Sequence, residues 1–568
     1  MSRTQIFTTL IGCFLLTILF FHPIQAFNQD LGRHILIGNI IVSTKSIPDT
    51  NLLSYTYPTF PFINHHYFAE IVYSVANNLG GPTLLFLITL ASILTTFLLL
   101  VLHHKTNTLS LLVATLFFLG ILGDRIEIRP EIFSYLFLSI FITILFKNRG
   151  KPTKLLYLLP LVQIIWANTH IYFPLGLATI GLFFLDSLFS HRKNLLDKKL
   201  LGIAFITALC ALVMMINPHG IKGALYPFSI MNSYGYSIEE NQTPFLLMSL
   251  GMQKASLPYL FILQTIILLG LFIQRKKARL IDYLLLIFFT YLSFSAVRNI
   301  PLFGIALLPT SLYLFNQFFN RDVFTKKMSN VFAICLIVAL LFQMYSFIHK
   351  NSFGLEVPET SKKAADFFIS QHIKGPIFNN FDIGSYLAYR FYPNEKVFID
   401  GRPEAYPADF IQKTYIPMQQ DPSLFQKISD RYRFNAIFFT HTDQTPWGRA
   451  FVASIMQDKN FIPIYLDQDN LVLIKDVPSN KEIIKRYGLS QTTTPLSYSR
   501  APSEEDLKKA ANFYGIVNQQ AGLIDTLTTL VNRYPNNCEY LRYLLPVLAQ
   551  NQSPTMALYQ DRYQTQCQ

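Results

Sequence analysis

Charge is what this sequence has least of. Only 14% of its 568 residues are Asp, Glu, Lys or Arg, against roughly a quarter in soluble domains, which excludes an ordinary soluble class and implies a membrane protein. Acids are the scarcer sign, 34 against 47 bases, and the net charge of +13 taken alone would suit nucleic acid. The bases, however, sit in the joints between apolar runs, and nucleic acid is not a partner they describe. Cysteines number five and none form Cys-x-x-Cys; no P-loop, G-x-S-x-G or Rossmann glycine fingerprint occurs. ATP-driven transport and soluble nucleotide-sugar chemistry therefore have no support. A repeated half with broken helices, usual in transporters, is also missing.

What is present is 51% apolar and 15% aromatic. Apolar runs of roughly spanning length fall near 5–23, 82–102, 108–123, 131–146, 155–169, 171–189, 200–216, 257–273, 280–297, 299–318 and 329–348, which predicts about eleven membrane helices. Alternate joints are basic: Lys105; Lys147, Arg149, Lys151 and Lys154; Arg192, Lys193, Lys198 and Lys199; Arg275, Lys276, Lys277 and Arg279; Arg321, Lys326 and Lys327. With Arg3 they should face the cytoplasm, which sends everything after Lys350 outside. Met1–Ala26 has the basic start and apolar middle of a signal peptide, but Ile24 stands where the A-x-A pattern wants a small residue. An uncleaved anchor is the expectation.

The other joints differ in chemistry. The first, 27–81, holds Asp30, Arg33, His34, the pair His65-His66, and Glu70; the second, Gly123–Glu131, packs Asp124, Arg125, Glu127, Arg129 and Glu131 between two apolar runs. The third is Asn168-Thr-His170, the fourth runs from Asn217-Pro-His219 past Glu239 and Glu240 to Lys254, and the fifth is Arg298-Asn-Ile-Pro301. Helix anchoring needs only snorkelling bases and aromatic belts, so His, Asn and acids from five joints imply one shared polar cavity on the outer side. Each element also has a plainer reading. Pro130-Glu131 suits the first turn of a helix, the charges of 124–131 could neutralise one another, and a lone Asn or His commonly caps a helix end.

Beyond the last run, 356–476 alternates helical stretches with short apolar strands, including Pro376–Phe378, Lys396–Asp400 and Ala436–Thr440 and a hairpin over Ile462–Ile474, and reads as an external α/β domain. Asp400-Gly-Arg402 ends a strand, where such sheets bind ligands; alternatively Asp400 and Arg402 pair to lock the turn. A Ser/Thr/Pro-rich linker, 488–502, leads to a tail, 503–568, of four helical stretches resembling tetratricopeptide hairpins, a surface on which a protein partner could dock. Cys538 and Cys567 can close its last hairpin in an oxidising compartment.

The first run, the outer loop opening Gln29-Asp30-Leu-Gly-Arg-His34, then 124–131, Trp166-Ala-Asn-Thr-His170, Asn217-Pro-His-Gly220 and Arg298-Asn-Ile-Pro301 together resemble a polytopic glycosyltransferase of the GT-C superfamily over residues 1–348. Asp382-Ile-Gly-Ser-Tyr-Leu and Val397-Phe-Ile-Asp-Gly-Arg402 resemble the outer domain of bacterial relatives. The resemblance implies a multi-pass helical fold and a polyprenyl-phosphate or diphosphate sugar donor taken from the membrane. It also implies an acid in the first loop, here Asp30, that accepts the acceptor's proton or holds a metal or the acceptor. Arg33, His34, Arg129, His170 and Arg298 are the candidates for the donor phosphate. Acids with His65 or His66 would hold a divalent cation. Leu31 follows Asp30 where mannosyltransferases carry Glu, and no Trp-Trp-Asp-Tyr-Gly exists, so no subfamily is chosen. The competing readings are a carrier or flippase for an anionic lipid and a non-catalytic envelope assembly factor.

Overall fold

The computed structural model describes residues 3–102, 106–150, 152–230, 234–320, 325–357, 361–491, 496–498 and 501–567. Lys105, Lys151 and Arg321 of the basic joints, and parts of the 488–502 linker, lie outside the described residues. The chain divides into two compact units: Met1–Ala26 with His34–Asp49 and Ile63–Val357, and Phe27–Arg33 with Thr50–Phe62 and Pro358–Gln568.

The first unit is a helix bundle. All of the expected apolar runs are helical. Among the described residues six helices are long and apolar enough to cross a membrane: Arg3–Phe20, Tyr67–Leu102, Glu131–Gly150, Ser256–Ile273, Val297–Phe319 and Lys327–Asn351. Thr108–Leu122, Lys154–Ala167, Pro174–Ser190 and Leu280–Ser295 are apolar but shorter. Proline accounts for part of the shortening, because Pro160 and Pro174 stand in the first turns of Leu159–Ala167 and Pro174–Ser190, and its missing N–H suits only a helix start. Thr108–Leu122 and Ile300–Phe319 pack on each other and are buried on nearly every side, forming the centre of the bundle. The helix Arg3–Phe20 packs on Tyr67–Leu102, Thr108–Leu122 and Lys326–Asn351.

One close approach sets up the site. A Cβ on Gly38 would lie 2.0 Å from the carbonyl oxygen of Glu70, so only glycine lets Leu31–Thr44 approach the start of Tyr67–Leu102 this closely. One turn earlier on that face, His34 can then reach Glu70.

The second unit holds a four-stranded sheet of β1 (Ile377–Asn379), β2 (Ala436–Thr440), β3 (Phe461–Leu466) and β4 (Asn470–Lys475), ordered β1-β2-β4-β3. β1 runs parallel to β2 and the other pairs are antiparallel. The expected strand Lys396–Asp400 is not in it. Val397 instead pairs by its backbone with Leu53 and Tyr55, while Ser54 and Thr56 donate to the Phe398 carbonyl. This is why Thr50–Phe62 groups with the second unit, whose main segment begins at Pro358. The linker is not loose where described: Leu489 and Ser497 bond to the backbone of β3. The tail has four helices, Glu504–Ile516, Gln520–Arg533, Cys538–Gln550 and Met556–Cys567, each packed on the next, with Cys538 bonded to Cys567.

Candidate active site

In the first unit the joints that differ in chemistry converge. Arg125 lies in the turn after Thr108–Leu122 and reaches Glu131 at 2.8 Å and Glu240 at 2.6 Å. Glu131 begins the next helix, as its place after Pro130 predicts. Arg129 reaches the same Glu240 oxygen at 2.8 Å, and Arg298 lies 3.4 Å from the other. Arg298 also donates to Asn241 Oδ1 at 3.1 Å and to Tyr172 Oη at 2.9 Å; Tyr172 in turn donates to Asn299 Oδ1 at 2.8 Å. Glu240 is thus the hub of three guanidinium groups. Burial alone would raise its pKa, but Arg125, then Arg129 and Arg298, hold it well below the carboxylate range.

A row of imidazoles continues the cluster, with ring centroids 5.3 Å apart for His34 and His66, 4.1 Å for His65 and His66, and 5.2 Å for His66 and His170. His170 then meets Tyr172 at 4.7 Å. Trp166 Nε1 donates to Ser134 Oγ at 2.7 Å, leaving that hydroxyl to donate to His170 Nδ1 at 2.9 Å, and the Tyr172 amide also points at Nδ1. Nδ1 is therefore an acceptor, and the proton of the neutral ring belongs on Nε2.

Other expected residues have local duties. Asp124 caps Ser256–Ile273 by accepting from the amides of Ala255 and Ser256. Glu127 accepts the Ala26 amide and lies 3.9 Å from His22. Within 124–131 Arg125 pairs with Glu131, and Glu127 is also drawn to Arg129; Arg125 and Arg129 further reach Glu240 of the fourth joint. Asn168 accepts from Tyr67 and donates to the carbonyls of Ile164 and Ile216. Asn217 closes a turn by bonding the Met214 and Gly220 carbonyls and the His219 amide. The expected cation ligands His65, His66 and Glu70 do not assemble. Glu70 is bound by His34 Nδ1 at 3.0 Å and by Asn64 at 2.6 Å, and among the described residues no group of three His, Cys, Asp or Glu is placed to hold an ion.

In the second unit Arg33 donates to Asp30 Oδ1 at 3.2 Å, and a Cβ on Gly401 would lie 3.1 Å from that oxygen. Asp400 and Arg402 form a buried two-contact pair at 2.8 Å per contact, and Arg402 extends to Asn51 at 2.8 Å. Gly384 permits this arrangement, since a Cβ there would stand 2.0 Å from the Ile399 carbonyl oxygen. Asp382 begins the helix Phe381–Phe391; its side chain reaches solvent, yet surrounding protein, then Asp443 and Asp30, push it up to about 7.

That shift has a sign in stability. The native carboxyl keeps a proton that the unfolded chain, at ~3.9, releases, so stability falls as pH rises from ~4 to 7 and the penalty persists above. Asp382→Asn should therefore raise the melting temperature at pH 8, modestly because solvent screens the group, with the gain shrinking toward nothing as pH approaches ~4. An equal shift at both pH values would assign the effect to packing.

Similar solved structures fit this architecture. The archaeal oligosaccharyltransferase of Archaeoglobus fulgidus, in complex with an inhibitory peptide and a dolichol-phosphate, superposes with a TM-score of 0.55 at 11% identity, covering 94% of this chain and 86% of that one. The chain carries the GT-C fold. The same oligosaccharyltransferase in complex with Zn and sulfate gives a TM-score of 0.53 at 13% identity over 99% of this chain and 86% of that one. A form of it tethered to an acceptor peptide containing the NVT sequon gives 0.55 at 11% identity over 83% and 74%. No protein-family model and no curated protein sequence matches the chain. At such identity the likeness to these GT-C structures is one of fold.

Sequence reasoning did not select Glu240, Asn241, Tyr172 or Ser134 for the site. Glu240 is adjacent to Glu239, which pairs with Lys254 at 2.5 Å, and nothing in the two letters tells hub from surface pair.

Proposed function

We propose that the protein is a multi-pass membrane glycosyltransferase that moves a sugar from a polyprenyl-phosphate or diphosphate donor to an acceptor on the outer face of the membrane. The observation that carries the reading is the convergence of Arg125, Arg129 and Arg298 at one end of an apolar bundle. Guanidinium groups there suit the phosphate of a lipid whose tail stays in hydrocarbon, and their charge-assisted hydrogen bonds gain strength as the leaving phosphate gains charge. His170, with its proton on Nε2, supplies a neutral donor beside them. The dolichol-phosphate and peptide held by the archaeal neighbour agree with a lipid-linked donor and a separate acceptor.

In this reading Asp30 accepts the proton of the acceptor hydroxyl as its oxygen attacks the anomeric carbon. The carbon–oxygen bond to the lipid phosphate breaks, and lipid phosphate leaves. No step is drawn through a metal, because among the described residues no ligand set assembles. By the positive-inside rule this reading has the amino terminus in the cytoplasm and everything after Lys350 outside.

The test is release of polyprenyl phosphate by purified protein in lipid, from a panel of radiolabelled polyprenyl-phosphate sugars with cell-envelope extract as acceptor. The parent should release lipid phosphate, with Asp30→Asn slower by ~10²–10⁴, the usual worth of a general base, and Arg129→Ala also impaired while folded. No turnover by the parent with any donor would end the transferase reading.

A further inference from the structure

The hub of the arginine cluster is a residue of the protein itself. Glu240 lies on the short turn Glu239–Asn241 within the fourth joint, and its two oxygens are shared among three guanidinium groups. A carboxylate whose oxygens are reached by Arg125, Arg129 and Arg298 occupies a space that also suits a phosphate, which presents oxygens of similar spacing to the same donors. Its neighbour Glu131 differs. That residue is helical, almost wholly buried and touches Arg125 alone of the three. Glu131 is thus a fixed counter-charge, whereas Glu240 sits on a loop turn and is partly exposed.

The charge count is instructive. Arg125, Arg129 and Arg298 are met by Glu131 and Glu240, and Glu127 adds its charge near Arg129. Withdrawing Glu240 leaves these guanidinium groups with one negative charge fewer around them. A polyprenyl-phosphate sugar is a phosphodiester with one negative charge; when the carbon–oxygen bond breaks, the bonding pair stays on oxygen and the phosphate becomes a monoester that approaches two. Withdrawal of Glu240 thus frees guanidinium donors for the departing lipid phosphate, and its return takes them back.

We propose that Glu240 is an internal occupant of the phosphate site, which the donor's phosphate displaces on binding and which returns to expel the lipid phosphate after transfer. The inference rests on the lipid-phosphate reading above. Glu240 is a specificity residue here: it makes the site open only to an anion that can outcompete a carboxylate, and it sets the affinity for product.

The experiment compares binding of inorganic pyrophosphate and, separately, of polyprenyl phosphate to the full chain in lipid nanodiscs, for the parent, Glu240→Gln, Glu240→Asp and the double variant Glu240→Gln/Arg129→Gln. Removing a closed state that dominates the open one by ~10 to 1 raises apparent affinity by about that factor. Glu240→Gln is therefore expected to bind both probes ~10-fold more tightly, Glu240→Asp, which keeps the charge on a shorter arm, by less, and the double variant by little, since its net charge returns to that of the parent. A merely structural Glu240 predicts the opposite sign, because losing the hub would splay the arginines and weaken binding. Unchanged or weaker binding of both probes by Glu240→Gln, with Glu240→Asp also showing no gain, overturns the proposal. A gain for pyrophosphate without one for polyprenyl phosphate leaves Glu240 as the occupant and removes the lipid donor.

Discussion

Arg298→Ala is expected to slow lipid-phosphate release by ~10²–10³, the usual loss when one fixed donor to a developing oxyanion is removed. Arg298 differs from its two partners in how it is held. Its guanidinium lies over the Tyr172 ring at 5.4 Å, donates from Nε to the Tyr172 hydroxyl, and uses Nη1 toward Asn241 and Glu240. The planar fork is therefore oriented before any ligand arrives. The fold should survive its loss, because Glu240 keeps Arg125 and Arg129 at 2.6 and 2.8 Å. Arg298→Lys should fail to rescue, since an ammonium offers a point charge where the site uses a fork and a stacked plane. Tyr172→Phe, which removes one hydrogen bond and keeps the ring, should cost only ~10-fold. Steady-state rates across a donor titration separate the outcomes. If kcat/KM of Arg298→Ala stays within about threefold of the parent, Arg298 does not meet the phosphate.

Much of this was legible in the letters, and the reasons are specific. The apolar runs read as helices because a bilayer-length stretch without charge has few other uses. The polar joints read as a group because His, Asn and acids are costly near hydrocarbon and five joints carry them. What could not be read is which charges meet. Asp124 and Glu127 look like members of a dense charged stretch, yet each bonds a backbone amide far along the chain, at Ser256 and Ala26. Glu240 looks like a loop acid and is the hub. The strand over Lys396–Asp400 was apolar enough to predict, but Leu53 and Tyr55 claimed its backbone, a tertiary choice that local β-propensity does not encode.

That same pairing makes the Asp400–Arg402 turn the largest stability prediction. Arg402→Ala is expected to destabilise the second unit by ~3–5 kcal/mol, because it strands a fully buried carboxylate. Asp400 is 0% exposed and Arg402 2%, so water cannot replace the lost partner; what stays with Asp400 is the Tyr406 hydroxyl at 3.0 Å and the backbone amide of residue 402 at 3.1 Å, both neutral donors. Arg402 also ties Pro358–Gln568 to Thr50–Phe62, meeting Asn51 at 2.8 Å and lying 4.8 Å over the Phe62 ring. Its removal should thus free Thr50–Phe62 as well as weaken the turn, and limited proteolysis should nick that segment in the variant before the parent. The double change Asp400→Leu/Arg402→Met leaves no unpaired charge and should cost far less than the single one, even with Asn51 left short of a partner. Melting temperature and the proteolysis pattern decide the matter together. If Arg402→Ala melts with the parent and is cleaved no faster, the pair is not what locks the turn, and a ligand-binding role for Asp400 and Arg402 becomes the better account of two opposite charges so deeply placed.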